Sequence, residues 1–112
     1  MILCDLTAPD QPIVYANQEF CYMTGYTLEE VKGQNCRFLQ APGGNVKPKS
    51  TRKYVDKDTI RNMRKAVEKR AELQLEVRNF KKNGQPFINI LTMIPIEVNG
   101  RWHCVGFQCE KE

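Results

Sequence analysis

Residues 72–110 decide the fold: ELQLEVRNF (72–80), KKNGQ (81–85), PFINILTMIPIEV (86–98), NG (99–100) and RWHCVGFQCE (101–110). Leu73, Leu75 and Val77 alternate with Gln74, Glu76 and Arg78, the period of a strand with one buried face. Asn83-Gly84 and Asn99-Gly100 are hairpin signals, because both residue types tolerate the positive φ that tight two-residue turns need. Three consecutive antiparallel strands are therefore predicted. Upstream, Asp58 is placed to cap a helix whose apolar positions are Ile60, Met63, Ala66 and Val67. Before that helix lies APGGNVKPKSTRK (41–53), with two prolines, two adjacent glycines and four bases, Lys47, Lys49, Arg52 and Lys53. It reads as a long, mobile surface loop at about 41–56, and loops of this length inside small domains are often functional. Further out, Phe20, Met23 and Tyr26 approach helical spacing until Gly25 interrupts. Thr27 and Glu30 form a capping box for a second short helix, which Gly33 ends. The chain opens with two apolar runs, ILCDL and IVYAN, read as strands. The order strand, strand, helices, loop, helix, three strands describes an α+β domain, with helices over one face of an antiparallel sheet.

Composition narrows the function classes. At 112 residues the chain makes one domain, 1–112, with room for one core and one ligand pocket. Hydrophobic residues at 41% and charged residues at 27% are ordinary for a globular protein. The net charge of +4 admits an anionic ligand without demanding nucleic acid. No apolar run reaches membrane-spanning length, and no signal peptide is evident, so no membrane partner is expected. Cys4, Cys21, Cys36, Cys104 and Cys109 are an odd set without a CxxC pair. Free thiols in a reducing compartment fit better than disulfides or zinc. No metal site is expected. A single His, His103, leaves little material for histidine catalysis.

Strand parity singles out three amides. Asn79 shares a face with Leu75 and Val77, and Asn89 with Phe87, Leu91 and Met93. Gln108 follows two residues after Gly106, which removes a side chain beside it. All three point to the helix-covered side. A buried amide without partners costs about 1–3 kcal/mol. Either these amides satisfy one another and the backbone, or they meet a flat heterocycle that offers donors and acceptors along an edge. The opposite face carries Ile88, Ile90, Ile94, Val105, Phe107 and Cys109, an apolar patch of the kind that marks an interaction surface. A segment outside this sequence or a partner would cover it, and the chain reads as the core of a slightly longer protein.

Residues 33–40 read GQNCRFLQ, and here the sequence resembles the LOV family, the flavin-binding, blue-light-sensing branch of PAS domains. YANQEFCYMTGY before the motif, NFKKNGQPFINILTMIPI and VGFQ resemble further family segments in order, and KPKSTRKYVD resembles the fungal branch. The resemblance implies a five-stranded antiparallel sheet with helices on one face enclosing a flavin. It implies that Cys36 bonds reversibly to the flavin C4a atom after blue-light excitation. It places Asn35 and Gln40 on the flavin and its ribityl chain, and Arg37 and Arg64 on the phosphate. It places Asn79 and Asn89 on the polar ring edge, and Gln108 near N5, where it reorients when N5 is protonated. The cofactor would be FAD or FMN, with the extended loop making room for the dinucleotide. The implied partners are a second copy of the chain, in a light-dependent homodimer, and other LOV or PAS signalling proteins. The implied role is tuning light responses and clock-linked transcription, in the cytoplasm or nucleus, without turnover catalysis. The readings from other classes are a flavin oxidoreductase and a flavin-free PAS interaction adaptor. Direct nucleic-acid binding is not expected, because the bases lie in one loop without a stacking platform.

Overall fold

The computed structural model describes all residues, 1–112. Five strands form one antiparallel sheet: β1 (Ile2–Asp5), β2 (Ile13–Ala16), β3 (Leu73–Phe80), β4 (Pro86–Val98) and β5 (Arg101–Glu110), in spatial order β2-β1-β5-β4-β3. The N-terminal strand thus sits against the last one, and the sheet's centre joins the two ends of the chain. Between β2 and β3 run α1 (Gln18–Thr24), α2 (Leu28–Val31), a 3₁₀ turn over Cys36–Gln40, a second over Pro42–Gly44, and α3 (Lys57–Lys69). This is the α+β arrangement expected from the sequence.

The two hairpins differ. Val98 pairs with Arg101 across Asn99-Gly100, and both turn residues have positive φ, 49° and 77°. That is the tight two-residue turn expected. At Asn83-Gly84 the paired strands stop at Phe80 and Pro86, so the connection is longer than the dipeptide suggests. Pro86 has no N–H to give the ladder. Lys81 N donates to Gln85 O at 2.9 Å, and the Asn83 side chain accepts from Gln85 N at 2.9 Å.

The capping box at Thr27 and Glu30 is formed in both directions, at 2.9 and 3.2 Å. The expected cap at Asp58 is corrected. The third helix begins two residues earlier than that cap implies, at Lys57, with Asp56 at the cap position and Asp58 inside the first turn. There Asp58 still favours the positive helix end. The long loop also differs from the expected mobile excursion: its second half is docked. Val55 is buried, and Tyr54 packs edge-on against Phe80, with ring centroids 5.2 Å apart.

Two apolar clusters make the core. Ile2, Ile13, Ala16, Phe20, Val31, Phe38 and Leu39 join β1 and β2 to the short helices. Val55, Val77, Leu91, Met93 and Cys104 join β3, β4 and β5 to α3, with Ile60, Met63 and Val67 against them. Phe20 is fully enclosed, and truncating it to Ala would cost about 3–5 kcal/mol. A cavity lies between the clusters and draws its walls from both.

Candidate functional site

The octapeptide is fixed to the sheet before any functional atom is considered. Ile13 N donates to Gln34 O and Gly33 N to Ile13 O, each at 2.8 Å. Phe38 and Leu39 are buried, and Phe38 meets Tyr26 edge-on at 5.0 Å. Asn35 caps the 3₁₀ turn: its Oδ1 accepts from Arg37 N at 2.9 Å, and its Nδ2 donates to Asp10 O at 2.8 Å. Cys36, the first residue of that turn, is therefore held at the cavity wall by neighbours on both sides.

Asn35, Cys36, Gln40, Asn79, Asn89 and Gln108 all line the internal cavity. Six of the eight expected site residues thus converge from the motif and from three different strands. Arg37 and Arg64 are not in that wall. They line an open cleft that adjoins it, sharing Asn35, Cys36, Gln40, Gln11, Met63, Val67 and Met93 with the cavity. The site has an enclosed, mostly apolar end and an open, cationic end, with Cys36 at the junction.

The amides at the enclosed end are only partly satisfied. Asn89 Nδ2 donates to Asn79 Oδ1 at 3.0 Å, and Asn79 Nδ2 donates to Arg78 O at 2.9 Å. Mutual satisfaction, one of the two readings of the sequence, accounts for Asn79. It leaves Asn89 Oδ1 and Gln108 Oε1 buried without a partner, each worth about 1–3 kcal/mol if nothing meets it. Gly106 makes room beside Gln108: a Cβ there would lie 3.1 Å from Gln108 Nε2 and 3.2 Å from Ile2 Cγ1. The Cys36 thiol is held below its ordinary pKa, first by a hydrogen bond from the Cys4 thiol and, against the effect of burial, by the Arg37 charge. Cys4 is pushed up correspondingly. Two acceptor atoms without partners, a thiol and apolar walls fit the edge and faces of a flat, polar-edged heterocycle.

The cationic end also holds a residue outside the eight expected ones, one of the four bases of the long loop. Arg52, from the long loop, donates through Nε to Gln40 Oε1 at 2.9 Å and through Nη1 to Ser50 O. Gln40 is thus engaged by an arginine as well as lining the cavity. Burial, followed by the nearby charges of Arg37 and Arg64, pushes Arg52 below the ordinary guanidinium value, so three guanidiniums converge on one cleft. Arginine forks of this kind suit phosphate oxygens. The basic loop composition was the available signal. Nothing local separated Arg52 from Lys47, Lys49 and Lys53.

The outer sheet face matches expectation. Ile90 pairs with Cys109, Thr92 with Phe107 and Ile94 with Val105, and Leu3 continues the row to Tyr15. Phe107 and Tyr15 are 48% and 47% exposed, far more than large apolar groups in a core.

A five-stranded antiparallel sheet cradling a polar-edged pocket under short helices defines a PAS domain, and the PAS domain family matches residues 1–108. Within that class the chain belongs to the fungal LOV photoreceptors. It is 45% identical over 111 residues to the blue light receptor lreA of Aspergillus flavus, and 40% identical over 111 residues to the White collar 1 protein of Neurospora crassa. Each match covers 97% of this chain, which spans 13% and 10% of the length of those two proteins. The light-state dimer of the fungal blue-light photoreceptor Vivid is similar in structure, with a TM-score of 0.93 and 60% identity, over 97% of this chain and 75% of that one.

Proposed function

We propose that this domain is a blue-light sensor that holds a flavin nucleotide, with the ring in the enclosed cavity and the phosphates in the cationic cleft. The observation that carries the reading is the pair of partnerless buried acceptors, Asn89 Oδ1 and Gln108 Oε1, in the cavity that also presents Cys36. A bound flavin supplies a light-excited state that reacts reversibly with a nearby thiol. Cys36 is the thiol this chain offers. The chain's other residues bind and respond. Asn79 and Asn89 fix the polar ring edge, and their mutual hydrogen bond sets which amide atoms face it. Gln108 sits in β5 opposite Leu91. An amide there can exchange its oxygen for its nitrogen by rotation when a neighbouring acceptor becomes a donor. That rotation changes bonding in the strand that lies between β1 and β4.

β5 also carries Phe107 and Val105 on the outer face. The signal is therefore read as a change in self-association through that face, or in docking of another LOV or PAS protein, tuning light-dependent transcription. A light-state dimer is known for Vivid. Arg37, Arg64 and Arg52 hold the phosphates, and the extra guanidinium from the long loop favours the diphosphate of FAD over FMN. The five free cysteines fit a reducing compartment, cytoplasmic or nuclear. Purified protein should carry a flavin whose released form runs as FAD or FMN on chromatography. Release of riboflavin alone, or of no flavin even after reconstitution, would overturn the phosphate assignment or the cofactor assignment respectively.

A further inference from the structure

Arg37 faces the cleft already paired with a carboxylate. Its Nη1 donates to Asp10 Oδ2 at 2.8 Å and its Nη2 to Asp10 Oδ1, an end-on, two-point ion pair. The Arg37 side chain is 15% exposed and that of Asp10 is 49% exposed, so the pair sits at the cleft wall with its acidic half towards solvent. Asp10 also lines the cleft. Its position is built: Asp10 and Gln11 both adopt left-handed backbone conformations, with φ 61° and 48°, and the Asp10 carbonyl is held by Asn35 Nδ2. Consecutive non-glycine residues in that region mark a turn held by its surroundings. Here the strained turn presents a carboxylate to the motif's arginine.

We propose that Asp10 is a specificity-determining residue that competes with the cofactor's phosphate for Arg37, and so restrains the preference of the site for flavin nucleotides over riboflavin. This inference rests on the flavin reading above. A carboxylate and a phosphate seek the same planar fork. With both present, the phosphate must share or displace Asp10, and the two anions repel across the cleft. Arg52 and Arg64 bear no comparable carboxylate pair, so they supply the attraction that Asp10 opposes at Arg37.

Asp10→Asn tests this with little disturbance. It keeps the side-chain shape and the carbonyl that Asn35 holds, and Asn tolerates positive φ at least as well as Asp. Asp10→Gly, which also accepts positive φ, serves as a second variant. The measurement is the rate at which flavin leaves the loaded protein on dilution, read by recovery of free-flavin fluorescence, for samples carrying FMN and samples carrying riboflavin. Removing the Asp10 charge should slow FMN release about two- to fivefold, the scale of a half-exposed ion pair, and leave riboflavin release unchanged. Faster FMN release would show that Asp10 positions Arg37 for the phosphate, and overturns the proposal. So would unchanged FMN release, or equal changes for both flavins. Arg37→Gln separates this failure from failure of the flavin reading: it should speed FMN release selectively. If it does not, the phosphate is not at Arg37 at all.

Discussion

The enclosed end and the open end of the site are built by different means. At the enclosed end, side chains come from β3, β4, β5 and the motif's 3₁₀ turn, their directions set by strand pairing. At the open end, the charged groups come from the β1–β2 turn, the motif's 3₁₀ turn, the long loop and α3, and two of the arginines are oriented by side-chain partners: Arg37 by Asp10 and Arg52 by Gln40. On the proposed reading, ring recognition is a property of backbone register, and phosphate recognition is a balance of charges that single substitutions can tilt. Cys36, at the junction, belongs to both.

The sharpest test of this division is Cys36→Ala. The ring site should keep its flavin and its colour, while light-driven bleaching is lost completely, as read by absorption before and after a blue flash. Retained bleaching with unchanged kinetics would remove Cys36 from the mechanism. The next effect belongs to the register-defined end. Asn89→Leu should weaken FMN and riboflavin alike by about 1–3 kcal/mol, the cost of losing buried amide partners, measured by equilibrium titration. A selective effect on FMN would break the comparison. At the charge-defined end, Arg52→Ala should weaken FAD by about 1 kcal/mol, roughly fivefold, weaken FMN less, and spare riboflavin. The smallest effect is that of salt. Raising ionic strength should loosen FMN and FAD modestly through screening of the exposed charges, with riboflavin insensitive, because its contacts lie in the enclosed cavity.

The same division explains what was legible in the sequence. Asn79, Asn89 and Gln108 could be found because alternation along a strand places side chains on faces without knowledge of the rest of the molecule. The tight turn at Asn99-Gly100 and the capping box at Thr27 are likewise local. The partnership of Asp10 with Arg37 spans 27 residues, and that of Arg52 with Gln40 spans 12. No periodicity connects them, and a basic loop looks the same whether one of its arginines points inward or none does. The misplaced helix cap has a simpler cause: Asp56 and Asp58 lie two residues apart, and both suit a helix start.

The central claim is that the unpaired amide oxygens, the apolar walls and Cys36 together make a light-sensing flavin site. A visible absorption spectrum of the purified protein, taken before and after a blue flash, tests it most directly. The account predicts a blue-region flavin band that bleaches and returns in the dark. A flavin band that the flash leaves unchanged, in protein whose Cys36 is reduced, would contradict it.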